Sequence, residues 1–259
     1  MTSIVHLSDL HFGSHFVQHL GEILVKEIET LKPDAVVVSG DFTLRAQPRE
    51  YAAAREFLDK IPYPTLAIPG NHDQPLFAPV ERLTAPYARY RKYICPTVDV
   101  SLSVNGLFAL GLSDCRRILP GGFWSREQRL WIQRELAAAP RGAVKIIASH
   151  HQFLWEGKWR PAGFWYPTQA LEWLAGQDVE IILNGHTHVP VAEQVASGII
   201  ISRAGTATSS RIRLGWGNTY NVVTVDPQHI SVSVRQYDAS ADAFLEAKAY
   251  TFPRRGNLN

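Results

Sequence analysis

Five short, strand-like runs in this sequence are each followed directly by residues with carboxylate, amide or imidazole side chains. Such runs, bounded by glycine and polar residues, are typical of buried β-strands that lead into loops. Helical patterns separate several of the runs, and this alternation predicts an α/β fold. Because ligands of α/β sheets bind beyond the carboxyl ends of the strands, the five polar motifs are expected to form one site.

The five motifs share one kind of chemistry, and six of the ten histidines lie in them. Their polar residues are Asp9 and His11, then Asp41, then Asn71, His72 and Asp73, then His150 and His151, and finally His186 and His188. Each motif alone has a simpler explanation, such as an ordinary turn or a helix cap. Their joint occurrence favours a metal site, because mixed imidazole and carboxylate ligation suits Mn, Fe, Zn or Co.

The remaining patterns complete one α/β arrangement. A capping box at Ser125 and Gln128 marks the start of a helix, and Asn105-Gly106 marks a turn between two paired strands. After Pro190 the sequence turns to strand patterns. We expect a single domain over residues 1–259, with a strand-rich C-terminal part at about 190–252. Further helices are predicted at residues 17–31, 48–60 and 168–175.

Composition narrows the function classes. The formal charge of +2 and the scattered basic residues argue against specific nucleic-acid binding, which usually needs a clustered basic surface. No apolar run approaches the roughly 20 residues that a transmembrane helix needs. The first residues lack the pattern of a signal peptide, and Cys95 and Cys115 alone make no disulfide framework. We therefore expect a cytoplasmic protein with no membrane span.

The motif set resembles that of the calcineurin-like metallophosphoesterases, and it consists of DLH at 9–11, GD at 40–41, GNHD at 70–73, SHH at 149–151 and GHTH at 185–188. The motif sequences are most similar to those of the bacterial class III cyclic-nucleotide phosphodiesterases. The segments AGTATSSRIR and NTYNVVTVD also resemble the C-terminal strands of those proteins. The resemblance covers about three quarters of the chain. It implies an α/β fold of the four-layer αββα sandwich type, with a dinuclear metal site at its edge.

The resemblance also implies which side chains hold the two divalent transition metal ions. The first ion would be bound by Asp9, His11, Asp41 and His188, and the second by Asp41, Asn71, His150 and His186. Asp41 would then be the shared anion that two ions about 3.5–4 Å apart require. The family uses manganese, iron or zinc, and the sequence does not choose among them. His150 is preferred to His151 because the family's ligand is the first histidine of such a pair.

The resemblance assigns the reaction to in-line attack on phosphorus by a hydroxide that bridges the metals. His72 would stabilise the phosphoryl oxygens or protonate the leaving alkoxide, and Asp73 would orient the His72 imidazole. His151 remains open between substrate contact and a supporting or surface position. Arg45 could reach a phosphate, or it could be an ordinary exposed loop arginine.

An aromatic segment at 153–173 directly follows the motif with His150. Trp155, Trp159 and Trp165 are candidates for stacking on a nucleobase or for lining an apolar pocket. The alternative is that these side chains simply pack the loop onto the sandwich. The sequence does not decide between the two.

Several functions remain in competition. The first is a phosphodiesterase that acts on a cyclic nucleotide or another small nucleotide. The alternative is a phosphodiesterase or phosphatase for a lipid headgroup, a glycerophosphodiester or a UDP-sugar lipid, although UDP-diacylglucosamine hydrolases usually carry Arg where His72 stands. A DNA-repair nuclease ranks third. A non-catalytic scaffold is disfavoured because every ligand position is filled. The sequence leaves a homodimer open.

Overall fold

Two six-stranded β-sheets face each other, and helices cover the outer face of each. The computed structural model describes residues 1–155 and 162–255. In its first half the elements are β1 (Thr2–Leu7), α1 (Gln18–Leu31), β2 (Ala35–Val38), α2 (Pro48–Leu58), β3 (Thr65–Ala67), a 3-10 turn (Asn71–Asp73), α3 (Pro79–Thr84), α4 (Ala88–Tyr93), β4 (Val100–Val104) and β5 (Leu107–Gly111). The second half contains α5 (Arg126–Ala137), β6 (Val144–Ala148), α6 (Pro167–Ala175), β7 (Val179–Asn184), β8 (Val191–Gln194), β9 (Ile200–Arg203), β10 (Thr219–Val225), β11 (His229–Asp238) and β12 (Ala243–Pro253).

The strand order brings the polar motifs to one edge. The first sheet has the order β12-β11-β10-β1-β2-β3, and the second has the order β4-β5-β6-β7-β9-β8. Strands β1, β2 and β3 run parallel in the first sheet, as β5, β6, β7 and β9 do in the second. The motifs therefore leave carboxyl ends of parallel strands in both sheets.

Side-chain alternation explains the layers. In β2, Val36 and Val38 pack against the helices on one face, while Val37 belongs to the apolar core between the sheets. A third core lies under α5 and α6 on the outer face of the second sheet. Full burial of such aliphatic side chains contributes about 1.5–3 kcal/mol each. The four-layer αββα sandwich is thereby confirmed.

Most local predictions hold. The amide of Gln128 donates to Ser125 Oγ at 3.2 Å, which confirms the helix cap, and β4 pairs antiparallel with β5 around Asn105-Gly106. Helices α3 and α4 were not predicted, because each has only six residues, too few to show helical periodicity. In the described ranges, no helix combines the length and apolar character needed to cross a membrane.

Candidate metal centre

The five polar motifs meet where the two sheets adjoin. The amide of His186, after β7 of the second sheet, donates to Asp9 Oδ2 after β1 of the first sheet, at 2.9 Å. The Nε2 atoms of His11 and His188 lie 3.0 Å apart. Contacts of this kind join residues far apart in sequence, so the sandwich itself assembles the site.

One group of candidate ligands contains Asp9, His11 and His188, all buried. Asp9 Oδ1 lies 3.2 Å from Nε2 of His188 and 3.7 Å from Nε2 of His11. On the opposite side of each ring, Nδ1 of His11 lies 3.4 Å from the backbone oxygen of Thr43. Nδ1 of His188 lies 2.5 Å from the backbone oxygen of Arg211. A carbonyl accepts only from a protonated nitrogen, so both Nε2 lone pairs point toward Asp9. Burial lowers the pKa of His11 to about 3, which keeps its ring in the neutral, ligating form.

A second group contains Asp41, Asn71, His150 and His186. Asn71 Oδ1 lies 3.0 Å from both His150 Nε2 and His186 Nδ1, and these two nitrogens are 3.3 Å apart. The Nδ1 atom of His150 faces the backbone oxygen of Ser39 at 2.9 Å, which directs its Nε2 atom toward Asn71. Three potential ligand atoms, one oxygen and two nitrogens, thus lie within 3.3 Å of one another.

Asp41 lies between the two groups. Its Oδ2 atom is 3.9 Å from Nε2 of His11 and 3.5 Å from Nε2 of His150. Its Oδ1 atom accepts a hydrogen bond from the amide of His72 at 2.8 Å. A single carboxylate therefore has access to both groups and is held in place by the backbone.

The electrostatics of the site favour a cation. Burial by itself would lower the pKa of His150, but the charge and hydrogen bond of Asp41, together with the charges of Asp9 and Asp114, outweigh burial and raise the pKa to about 10. Asp9 Oδ1 is buried and accepts no hydrogen bond of good geometry among the described residues. A buried carboxylate oxygen without a donor is costly unless positive charge compensates it. The residues present therefore fit divalent metal ions.

The backbone of the site is strained. Five residues with predicted ligand roles have positive φ values, between 51° and 73°, and these are Asp9, His11, Asp41, His186 and His188. Each such residue costs on the order of 1–3 kcal/mol, and such strain concentrates at functional sites. Close approach adds a further constraint, because a Cβ atom on Gly185 would lie 1.8 Å from Ser8 Oγ. Asp and His tolerate this left-handed region better than bulky residues do.

His72 borders both groups without joining either. Its Nδ1 atom faces the backbone oxygen of Leu44 at 2.8 Å, and its Nε2 atom lies 3.3 Å from Nη1 of Arg211. The imidazole ring stands edge-on to that of His11, with 4.9 Å between centroids. The Nε2 atom of His72 therefore points into the space beside the candidate ligands.

The predicted contact between Asp73 and the imidazole of His72 is wrong. Asp73 is the last residue of the 3-10 turn, and its carboxylate reaches back to the amides of Gly70, Phe42 and Thr43 at 2.9–3.1 Å. Burial, followed by the charge of Asp41, raises the pKa of Asp73 to about 7. Asp73 therefore ties the loop after β2 to the loop after β3. The carbonyl of Leu44, and not Asp73, orients the ring of His72.

Arg211 is a site residue that the sequence analysis did not single out. Its Nη1 atom lies 3.3 Å from His72 Nε2 and 3.5 Å from His11 Nε2, and the side chain is partly buried. It lies in the SSRIR segment, which resembles a C-terminal strand of the bacterial phosphodiesterases, but this resemblance assigned no role to the arginine. An arginine here supplies a guanidinium group beside the candidate ligands, where a phosphate oxygen could accept from it.

Asp114 was also missed, although it follows β5 at a sixth strand end. Its Oδ2 atom accepts from Ser149 Oγ at 2.6 Å and from the amide of His151 at 2.8 Å, and its Oδ1 atom lies 2.9 Å from His151 Nδ1. The SDC sequence at 113–115 lacks the histidine present in four of the five motifs. Asp114, Cys115 and His151 could together hold a metal, but the hydrogen bond between Asp114 and His151 already accounts for their approach. His150 faces Asp41, whereas His151 faces Asp114.

Three of the predicted substrate-contact residues, Trp155, Trp165 and Arg45, lie at the periphery. Trp155 is partly exposed, and the indole of Trp165 donates to the backbone oxygen of Pro120 at 3.1 Å. Trp159 lies outside the described residues. Arg45 is exposed, with its guanidinium 5.8 Å from the ring centroid of Phe77. Among the described contacts, none joins Trp155, Trp165 or Arg45 directly to a candidate ligand.

Comparison with known proteins places this site in a family. The model of the calcineurin-like phosphoesterases matches residues 2–190. The chain is 37% identical over 103 residues to the glycerophosphodiester phosphodiesterase GpdQ of Enterobacter lignolyticus, a match that covers 36% of this chain and 34% of the relative. It is 28% identical over 159 residues to a probable cyclic nucleotide phosphodiesterase of Synechococcus sp., covering 60% of this chain and 58% of that protein. The matches thus span about a third to just under two thirds of these relatives.

A solved structure shows the same fold. A dimetal phosphatase from Danio rerio has a TM-score of 0.68 and 12% identity, covering 97% of this chain and 98% of its own. The family match and the ligand groups together imply divalent metal ions in this protein. The chain therefore belongs to the calcineurin-like phosphoesterases.

Proposed function

We propose that this protein is a phosphodiesterase with two divalent transition metal ions, taken from manganese, iron and zinc. The observation that carries the proposal is the position of Asp41, whose Oδ2 atom faces both ligand groups within 4 Å. Asp9, His11 and His188 would hold one ion with Asp41. Asn71, His150 and His186 would hold the other.

The residues around the ligand groups account for a phosphoryl reaction. Two bound metal ions would activate a water molecule and neutralise charge on the phosphate oxygens. Arg211 and His72 face the same space, with 3.3 Å between Nη1 and Nε2. If a phosphate oxygen of the substrate accepted a hydrogen bond from the guanidinium of Arg211, Nε2 of His72 would lie beside the oxygen of the leaving group. Because Nδ1 of His72 contacts the carbonyl of Leu44, Nε2 is the nitrogen that would donate a proton to the leaving alkoxide.

A cyclic nucleotide or another small nucleotide is the first substrate class. The similarity to the Synechococcus protein, named a cyclic nucleotide phosphodiesterase, supports it. A glycerophosphodiester is the second candidate, since a shorter stretch is 37% identical to a glycerophosphodiester phosphodiesterase. Both are small diesters that a two-metal site with an adjacent arginine suits.

A substrate panel with added Mn²⁺ tests the proposal. We expect hydrolysis of bis(p-nitrophenyl) phosphate together with a cyclic nucleotide, a glycerophosphodiester or both, because the site binds the diester phosphate rather than a particular alcohol. Hydrolysis should stop on chelation and return with metal. The panel also contains a UDP-sugar lipid, single-stranded DNA and p-nitrophenyl phosphate. Turnover of the monoester without any diester would contradict the assignment.

Replacing Arg211 with alanine tests the phosphate contact. We expect kcat/KM on bis(p-nitrophenyl) phosphate to fall about 10- to 100-fold, as for the loss of a charged hydrogen bond worth roughly 1.5–3 kcal/mol. Metal content should not change, since the side chain of Arg211 is not a ligand. Arg211→Lys should recover part of the activity, and Arg129→Ala on α5 serves as the charge-matched control. Wild-type activity in Arg211→Ala would remove this residue from the mechanism.

A further inference from the structure

Two neighbouring segments expose a group of large apolar side chains. The segments are residues 74–84, which include α3, and residues 115–123, which follow β5. Their exposed apolar side chains, here called the apolar rim, are Leu76, Phe77, Val80, Leu83, Ile118 and Leu119. Phe77 is 75% exposed and Ile118 is 76% exposed. Single exposed apolar residues are ordinary, whereas a cluster on adjacent segments marks an interaction surface.

The two segments are held together by backbone contacts of arginines. Arg82 Nε donates to the backbone oxygen of Arg117 at 2.6 Å, and Arg117 Nη1 donates to the backbone oxygen of Leu83 at 2.7 Å. These reciprocal bonds join α3 to the loop after β5. The two parts of the apolar rim therefore lie on adjacent segments.

This surface borders the metal centre on two sides. The ring of Phe77 lies 5.8 Å from the guanidinium of Arg45, and the neighbouring Leu44 carbonyl holds the imidazole of His72. At the other end, the second segment begins at Cys115, whose Sγ atom is 4.0 Å from Nδ1 of His151. A partner that binds to the apolar rim would thus lie beside the opening of the metal centre.

The charge around the apolar rim is mainly positive. Arg45, Arg116 and Arg117 surround it, and Arg211 lies across the opening. Residues 115–123 contain no carboxylate, and 74–84 contain only Glu81. Glu81 is already paired, since Arg89 Nε donates to its Oε1 at 2.8 Å. A second copy of this chain placed face to face would bring arginines against arginines, whereas an anionic surface would neutralise them.

We infer that this face docks on an anionic lipid surface. The apolar rim would enter the level of the headgroups, and the arginines would pair with lipid phosphates. Arginine suits this position, because its guanidinium binds phosphate in bidentate fashion while its aliphatic stem covers apolar surface. The inference extends the proposed function, since docking would present the metal centre to phosphodiesters of lipid headgroups.

Vesicle sedimentation with the full chain tests the inference. Vesicles of phosphatidylcholine alone are compared with vesicles of equal parts phosphatidylcholine and phosphatidylglycerol. We expect wild-type protein to sediment with the anionic vesicles. The double variant Val80→Asp with Ile118→Asp should bind these vesicles with an affinity at least about 10-fold lower, because it loses apolar insertion and adds charge repulsion. The matched control is Leu130→Asp with Leu245→Asp, which changes exposed leucines on α5 and β12 and should bind like wild type.

Turnover of soluble bis(p-nitrophenyl) phosphate separates docking from catalysis. The rim variant should hydrolyse it as the wild type does, which also shows that the variant is folded. Vesicle binding without turnover would refute the proposed function and leave docking intact. Equal vesicle binding by wild type and rim variant, or no binding by wild type, would overturn the docking inference. So would a wild-type dimer that the rim substitutions dissociate, because the face would then be an interface between two copies.

Discussion

Replacing Asp41 with asparagine is expected to abolish both metal binding and phosphodiester hydrolysis. Oδ2 of Asp41 lies within 4 Å of a histidine nitrogen in each of the two ligand groups. Asparagine keeps the size of the side chain but removes the charge that offsets the repulsion of two cations. The loss of activity should exceed the roughly 10²- to 10³-fold cost of removing one preorganised hydrogen-bond donor. Metal content by mass spectrometry and turnover of bis(p-nitrophenyl) phosphate measure the two effects.

The control for this variant is Asp242→Asn, which removes an exposed carboxylate near His19. It should retain full metal content and activity. Asp41→Asn is expected to fold, since asparagine has the same size and can still accept the hydrogen bond from the amide of His72. Circular dichroism should therefore match that of the wild type. Two bound metals in folded Asp41→Asn would contradict the bridging assignment.

Replacing His72 with alanine is expected to lower kcat by a factor of about 10² to 10⁴ while metal content stays unchanged, as for the loss of a general acid. The structural reason is that Nε2 of His72 faces Arg211 at 3.3 Å, while Nδ1 is occupied by the carbonyl of Leu44. Neither nitrogen faces a candidate ligand position. Parallel measurements of metal content and kcat on a diester separate the two roles.

Two comparisons make the His72 test sharper. His15→Ala changes a histidine of the same half of the chain whose ring contacts Ser210 instead of the site, and it should behave as wild type. The double variant His72→Ala with Arg211→Ala should lose less than the product of the single losses, because residues that act as a unit are not additive. A drop in metal content on replacing His72 would reclassify it as a ligand.

The fold was predictable because its signals are local. The AVVV run of β2 and the polar residues after it appear in the sequence side by side, and a buried parallel strand needs little more. The short helix α3 gave no such signal. Its apolar side chains, Val80 and Leu83, do not pack in a core, so there was no helical periodicity to detect. The surface that carries the docking inference was therefore found only in the structure.

The roles of individual side chains divide in the same way. Asp73 was assigned to His72 from adjacency, but the 3-10 turn sends its carboxylate back to Gly70. Asp114 was overlooked because its partner, His151, lies 37 positions away. Arg211 reaches His72 across 139 positions. Contacts between distant loops depend on how the two sheets are stacked, and no local pattern encodes them.

The sequence by itself determined the strands and the set of polar residues at their ends, because hydrophobic periodicity and residue type are read along the chain. The tertiary structure alone decided which atoms face one another. The inward Nε2 atoms of His11 and His188 follow from carbonyls of Thr43 and Arg211 in other loops. The position of Asp41 between the groups follows from the parallel pairing of β1 with β2 and the packing of one sheet on the other. Non-local packing and left-handed loop backbones together convert a list of polar residues into a candidate metal centre.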